Sequence, residues 1–331
     1  MIAKLRFARF LSLPPTAALL FAAALAGCAT SPPRAPARFE FAGVHMGMDV
    51  RLVIYAASPM AASSAAEAAF GRIAELDARL SDYRPDSEVR QLERRPGEWI
   101  DVSPDLFRVL AIGLAVARAS DGAFDPTAGP VIRLWREARR TGIAPQPAAI
   151  DAALQHVGWS RIELDSARTA LRYTAPGMQL DLGGVAKGYI LQEALATLRT
   201  HGVTSSLVEA GGDIVVGDAP PGRPGWRIAT PLATPYIAER AANLTLAALA
   251  TSGPTAQSFV IDGERHSHIV DPATGQALTS RWVGTAIHED AAVADALATA
   301  LSILGEAGEA KLAERFPGAL LQAAPVPPSL P

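Results

Sequence analysis

The chain has 331 residues, a formal net charge of −3 and 49% hydrophobic residues, which suits one large domain or two small ones with a buried core. Charged residues make up only 19%, with no basic block beyond the N-terminus, so nucleic acid is excluded as a partner. Cys28 is the single cysteine, so no internal disulfide can form and the domain must be held by packing even in an oxidising compartment.

Lys4, Arg6 and Arg9 form a basic start, followed by an apolar run over 17–25. That run is shorter than the roughly 20 residues a bilayer span needs and reads as a secretory signal. Leu25-Ala26-Gly27-Cys28 resembles the bacterial lipobox, which implies removal of 1–27 and lipidation of Cys28. The Pro-, Ala- and Arg-rich stretch up to residue 38 then reads as a tether. The expectation is a lipid-anchored protein on the periplasmic face, at the inner membrane, with acyl chains as the anchor.

The β-branched run 50–55 predicts a strand. Phe70, Ile73, Leu76 and Leu80 recur at helical spacing and predict a helix over 59–80. Ser103 and Pro104 open a second helix to about 119, as N-cap and first helical residue, and Asp121-Gly122 turns the chain. Helices follow over 127–139, 145–157 and 184–201, with strands at 159–164 and 169–173 between the last two. Strands are expected at 205–208, 213–216, 226–230, 244–249, 258–261, 266–270 and 283–287, then a helix over 291–304 and a shorter one to 316. Helices dominate the first half and strands the second, which argues for an α+β fold, with helices and short strands in one compact domain of two subregions over 39–323. Residues 324–331 are Pro-rich and read as a disordered tail.

Three stretches carry oxygen donors, glycines or a lysine in patterns that suit chemistry. Asp295 and Thr299 are four apart on one helix face, offering a charged and a neutral oxygen suited to octahedral Mg²⁺. The same pair reads equally as an Asp favoured by the helix dipole and a buried Thr. Asp181-Leu182-Gly183-Gly184-Val185-Ala186-Lys187-Gly188-Tyr189 couples a carboxylate, two glycines that permit close backbone approach, and a lysine that can meet a phosphate at a helix start. It is neither a P-loop nor a Gly-x-Gly-x-x-Gly turn, and a plain strand-turn-helix link with a surface lysine is the alternative. His266 and His268 are spaced to share one strand face. A zinc pair lacks a third ligand of suitable spacing, whereas His268, near Asp271, can accept a proton at neutral pH. Tyr83, in the turn with Asp82 and Ser87, can stack on a planar ring, and Phe124 with Asp125 can frame a pocket wall.

Taken in order, Met46-Gly47-Met48, the stretch 81–88, Gly122-Ala123-Phe124-Asp125-Pro126, 181–189, Glu209-Ala210-Gly211-Gly212-Asp213, Thr251-Ser252-Gly253, 268–275 and 294–299 resemble the bacterial FAD:protein FMN transferases of the ApbE type. The resemblance implies an ApbE-like mixed fold around a flavin cleft. It implies FAD as substrate, Mg²⁺ on the diphosphate, and attack by a threonine hydroxyl of a target protein that keeps FMN and releases AMP. Metal ligands carried over are Asp295, Thr299 and the backbone oxygen of Gly184. Flavin contacts carried over are Met46, Tyr83, Ala123, Phe124, Asp125, Asp181, Lys187, Ser252 and Ile269, with His268 and Asp271 as the catalytic pair. Acceptors in the family are FMN-bearing membrane subunits of sodium-pumping NADH:quinone reductases, Rnf-type complexes and related proteins. Two positions depart from the family pattern. Pro254-Thr255-Ala256-Gln257 stands where an aromatic residue and an arginine are usual, and Glu209 stands where Asn is common. Hydrolysis of FAD to FMN and AMP, or flavin binding without catalysis, therefore stay open beside transfer.

Overall fold

The computed structural model describes residues 35–92, 97–230, 241–254, 258–279 and 282–326. The signal segment, Cys28 and most of the tether lie outside the described residues, as do Thr255, Ala256, Gln257 and the last five residues. No described helix is long and apolar enough to cross a membrane. From Ala37 onward the chain groups into one unit, and its mixture of helices and antiparallel strands is the expected α+β class.

The first hairpin joins β1 (Ala37–His45) to β2 (Met48–Ala56). Met46 and Gly47, at φ 52° and 71°, make its two-residue turn, the geometry that matches strand twist. β1 was not expected, and it begins two residues inside the segment read as tether. Its alternating Phe39 and Phe41 pack against the main core, which draws the chain into the sheet. Next, α1 (Pro59–Leu80) and α3 (Pro104–Ala119) flank the short α2 (Glu88–Leu92) and β3 (Ile100–Asp101). Ser58 and Ser103 cap the two long helices, accepting from Ala61 N and Leu106 N at 3.2 Å each.

Then come α4 (Gly129–Thr141) and α5 (Pro147–Leu154). The strand expected from 159 begins instead as a 3₁₀ turn (Trp159–Arg161), with β4 (Ile162–Asp165) and β5 (Ala170–Tyr173) after it. α6 (Ala186–Thr200) leads to β6 (Ser206–Ala210), β7 (Asp213–Val216) and β8 (Trp226–Ala229). The single strand expected over 244–249 is two, β9 (Ala241–Leu244) and β10 (Ala247–Ser252). The chain bends between them at Leu246, whose φ is 50°, and the two strands enter different sheets. β11 (Ser258–Ile261), β12 (Glu264–Ser267) and β13 (Trp282–His288) follow. Last are α7 (Ala291–Leu304), α8 (Ala307–Arg315) and β14 (Leu320–Pro325). β14 takes Ala324 and Pro325 out of the expected disordered tail, because residues 320–325 pair with β13.

Seven strands form one antiparallel sheet in the order β1-β2-β6-β7-β10-β13-β14. Period-two alternation splits their side chains. Val50, Leu52 and Ile54 of β2 join a helix-side core with α1, α3, α6 and α7. Val53 joins Leu207, Val216, Leu249 and the β8–β9 hairpin on the other face. A third cluster holds α4, α5 and β11 together through Val131, Trp135, Ile150 and Ile261. α7 is apolar nearly all round and almost wholly buried, as such a helix must be. Small residues let it lie close to the sheet: a Cβ on Gly284 of β13 would sit 2.2 Å from the Ala298 carbonyl oxygen.

Asp105 ties three helices. Its Oδ1 accepts from Arg72 at 2.6 Å and from the Tyr189 hydroxyl at 2.7 Å, and its Oδ2 accepts from Arg79 at 2.6 Å. Burial pushes its carboxyl up, but the Tyr189 hydroxyl and Arg72 outweigh that and hold it below the usual carboxylate range. A depressed carboxyl stabilises the fold above its unfolded value, near pH 4, and that contribution is lost as pH falls toward the folded one. In urea unfolding, D105N should therefore be less stable than wild type at pH 7, and the two should converge below about pH 4. Gly284→Ala should cost about 1–3 kcal/mol through overpacking against the backbone of α7, read from the urea midpoint.

Candidate active site

Two helix starts meet at one glycine. A Cβ on Gly188, in the first turn of α6, would lie 2.1 Å from the carbonyl oxygen of Ala291, where α7 begins. Only glycine permits that approach. The Gly188 N–H then donates to Oδ2 of Asp295 at 3.0 Å, which satisfies one oxygen of a carboxylate that is 4% exposed. The other oxygen, Oδ1, lies 3.5 Å from Nζ of Lys187. Lys187 forms its close ion pair with Asp213, at the start of β7. Asp213 is itself buried and accepts from Thr251 N at 3.1 Å.

One turn beyond Asp295, the Thr299 hydroxyl lies 3.5 Å from the Ser252 hydroxyl. Gly184 faces it: a Cβ there would be 2.9 Å from Thr299 Oγ1 and 3.1 Å from the Phe124 ring. The structure thus brings Gly184, Ser252, Asp295, Thr299, Phe124 and Lys187 together. The cluster offers the Asp295 carboxylate, the Thr299 and Ser252 hydroxyls and the backbone of Gly184. No described group of three His, Cys, Asp or Glu residues could hold a metal alone. That set fits Mg²⁺, which binds through few protein oxygens and keeps water or phosphate oxygens as its other ligands; it does not fit a His- or Cys-ligated zinc.

Asp181 leads out of this cluster to the ring-stacking side. Its Oδ1 accepts from Gly183 N at 3.0 Å, fixing the glycine turn, and its Oδ2 pairs with Arg136 of α4. Arg136 also pairs with Asp82, and its guanidinium carbon lies 4.2 Å from the centre of the Tyr83 ring. Tyr83 is 73% exposed, whereas both carboxylates are nearly buried. Burial and the neighbouring Asp181 charge push the Asp82 carboxyl up against the pull of Arg136. Burial opposes the Arg136 charge as well, but the two carboxylates hold it above its ordinary value.

Other expected residues take different places. Asp125 is consumed by the framework: its Oδ1 accepts from Thr127 N and Oγ1 at 2.7 and 2.6 Å, and its Oδ2 accepts from Trp159 N at 3.0 Å. Burial pushes its carboxyl up. Ala123 is half-buried beside Phe124. Met46 is half-buried at the first hairpin tip. Ile269 is 7% exposed, so its side chain belongs to the interior.

His266 and His268 do not share a strand face, because β12 ends at Ser267. His266 is buried, its ring 5.0 Å from Trp135 and 5.8 Å from Phe259, and its Nδ1 has no hydrogen-bond partner among the described residues. His268 is exposed. Asp271 serves its own turn, Oδ1 accepting from Ala273 N at 2.9 Å and Oδ2 from the Thr274 hydroxyl at 3.0 Å. We therefore assign Asp271 to loop geometry.

Arg136 and Asp213 are members of the cluster that the sequence reading gave no role. Asp213 was visible in the Gly211-Gly212-Asp213 turn. Arg136 is one of four arginines on α4, and nothing in the spacing singles it out. Two open surface depressions of about 520 and 550 Å³ lie over Glu75, Asp86, Glu88 and Asp101 and contain none of the expected site residues. Their lining has no link to the cluster just described, which defines the site better than surface shape does. Glu209, where Asn was expected, pairs across the sheet with Arg51, which gives the substitution a cross-strand role.

Fold and site together define an α+β protein with an oxygen-lined polar centre where two helix starts meet. The chain belongs to the ApbE family, whose profile matches residues 46–321. Relatives called FAD:protein FMN transferase include one from Chlamydia muridarum, 30% identical over 89% of this chain and 92% of its own, and one from Chlamydia trachomatis, 33% identical over 83% and 87%. The crystal structure of the ApbE protein from Thermotoga maritima superimposes with a TM-score of 0.73 at 28% identity, covering 88% of this chain and 97% of that one. The apo form of the Pseudomonas stutzeri flavinyl transferase ApbE gives the same TM-score and identity over 89% and 96%.

The Lys187–Asp213 pair carries a stability prediction. Asp213→Leu leaves the ammonium with Asp295 alone and should lower stability by about 3 kcal/mol, and K187M/D213L should recover only part of the loss in urea unfolding, because it leaves the buried Asp295 carboxylate without its cation.

Proposed function

We propose that this protein transfers FMN from FAD to a threonine hydroxyl of a target protein, with Mg²⁺, and releases AMP. The observation that carries the reading is the convergence of Asp295, Thr299 and the backbone of Gly184 beside Lys187, within a chain whose relatives are named for that transfer. In the reaction, the acceptor oxygen bonds to the FMN-side phosphorus and the phosphoanhydride bond to AMP breaks. The bond's electron pair leaves with AMP, and the hydroxyl proton passes to an imidazole nitrogen of His268. Asp295, Thr299 and the Gly184 carbonyl would hold Mg²⁺, which when bound would supply charge neutralisation for the diphosphate. Such transfer is driven by positioning and electrostatics more than by covalent chemistry.

The protein's own groups divide that work. Lys187 adds a positive charge beside the single carboxylate, and Asp213 holds its ammonium in place. Asp181 fixes the glycine turn, so the backbone near Thr299 is set before ligand arrives. Tyr83 offers an exposed ring to the isoalloxazine. His268, exposed on its loop, can be reached by a side chain of another protein, and a neutral imidazole is a competent base at pH 7.

The acceptors that fit are FMN-bearing membrane subunits of sodium-pumping NADH:quinone reductases, Rnf-type complexes and their relatives. A lipid anchor at Cys28 on the periplasmic face of the inner membrane would hold the enzyme near them, and replacing Cys28 with Ala should release the protein from membranes in cell fractionation.

Incubation of the purified protein with FAD, Mg²⁺ and a candidate acceptor should give covalently flavinylated acceptor and stoichiometric AMP. AMP without labelled acceptor would replace transfer with hydrolysis, and bound FAD without AMP would leave a flavin-binding protein only. Asp295→Ala should abolish turnover, and activity retained by this variant at limiting Mg²⁺ would remove the metal role.

A further inference from the structure

We infer that Arg136 is a positioning residue that ties the ring-stacking side of the site to its oxygen-donor side. The inference rests on the FAD reading given above and extends it to a residue outside the recognised motifs. Arg136 uses its planar fork in three directions at once. Nη1 meets Asp82 in the loop after α1, Nη2 meets Asp181 before the glycine turn, and the face of the guanidinium covers Tyr83. Asp181 then holds Gly183 N with its second oxygen, and the next residue, Gly184, lies against Thr299. One cation therefore sets both the Tyr83 ring and the glycine turn whose Gly184 lies against Thr299. A lysine could supply the charge but not the fork or the flat stacking surface.

A purely structural role is the competing explanation. Asp82 and Asp181 are two nearly buried carboxylates bridged by one guanidinium, and removing Arg136 alone would leave them facing each other unpaired. The variant D82N/R136Q separates the two roles, because it removes one negative charge together with the cation. If Arg136 only neutralises, the double variant regains both folding and flavin affinity. If Arg136 positions, it regains folding but not affinity.

The test measures FAD binding by flavin fluorescence quenching in Mg²⁺ without acceptor, alongside thermal unfolding. R136Q and D82N/R136Q should each bind FAD about tenfold or more weakly than wild type, the expected scale for losing a charge-assisted contact. R136K should recover only part of that loss. In turnover, KM for FAD should rise more than kcat falls, since the contacts of Arg136 are Asp82, Asp181 and Tyr83. Should R136Q fail to fold, R136K and the double variant carry the test. Binding of FAD within about twofold of wild type by D82N/R136Q, or by a folded R136Q, overturns the positioning role and leaves the proposed function standing. A wild-type protein that binds no FAD overturns both.

Discussion

The contact between Gly188 and the backbone of Ala291 sets the geometry on which the site depends. Two helices whose first turns approach this closely cannot carry a side chain at the crossing. Because they do approach, an amide from α6 reaches Asp295 on α7, and Lys187, one residue earlier, falls beside the same carboxylate. The remaining donors follow from elements already fixed by the core. Thr299 is one turn along a helix buried on nearly all sides, and Ser252 ends a central strand paired to both β7 and β13. No loop has to be held in place by the ligand for these oxygens to converge, which is what positional catalysis requires of its scaffold.

Charge is distributed in the same economical way. Each cation near the centre is shared between two acidic groups: Lys187 between Asp213 and Asp295, Arg136 between Asp82 and Asp181. Both pairs lie in a partly desolvated setting, where electrostatic interactions exceed their strength in water. Asp105 follows the opposite logic in the helical layer, with two arginines and a tyrosine hydroxyl on one carboxylate; it holds α1, α3 and α6 in place and offers no vacant oxygen for chemistry.

The long helices were legible in the sequence. At 59–80 the signal was helical apolar spacing and at 104–119 the Ser103-Pro104 start, and both helices run as read. The helix expected over 291–304 is α7, which Asp290 caps. Edge strands were not. β1 and β14 lie at the two ends of the sheet, and their sequences, flanked by Pro and half-exposed, resemble linkers until pairing defines them. The split at Leu246 was hidden because a left-handed leucine has no sequence signature. Among site residues, the legible ones lay in glycine-bearing motifs or at i, i+4 spacing. Arg136 lay among other arginines on an amphipathic helix, and only the packing of α4 against the loop after α1 and the turn before α6 distinguishes it. Asp125 and Asp271 sat within recognisable motifs, yet their carboxylates bond their own turns. A motif marks a constrained position; it does not separate a ligand-facing oxygen from one that shapes a loop.

That separation also explains how exposure is partitioned across the centre. The groups that hold geometry, Asp213, Asp181 and Asp125, are nearly buried, with backbone amides or cations on their oxygens; Asp295 is as buried, with the Gly188 amide on one oxygen and Lys187 3.5 Å from the other. The groups that would meet a planar ring or an incoming hydroxyl, Tyr83 and His268, are exposed. A small-molecule enzyme that consumed both substrates internally would gain from enclosing such groups, because excluded water strengthens polar contacts. A protein acceptor cannot be enclosed, since its hydroxyl arrives attached to a folded partner. Rigid buried carboxylates combined with an exposed Tyr83 and His268 suit an acceptor that arrives attached to a protein.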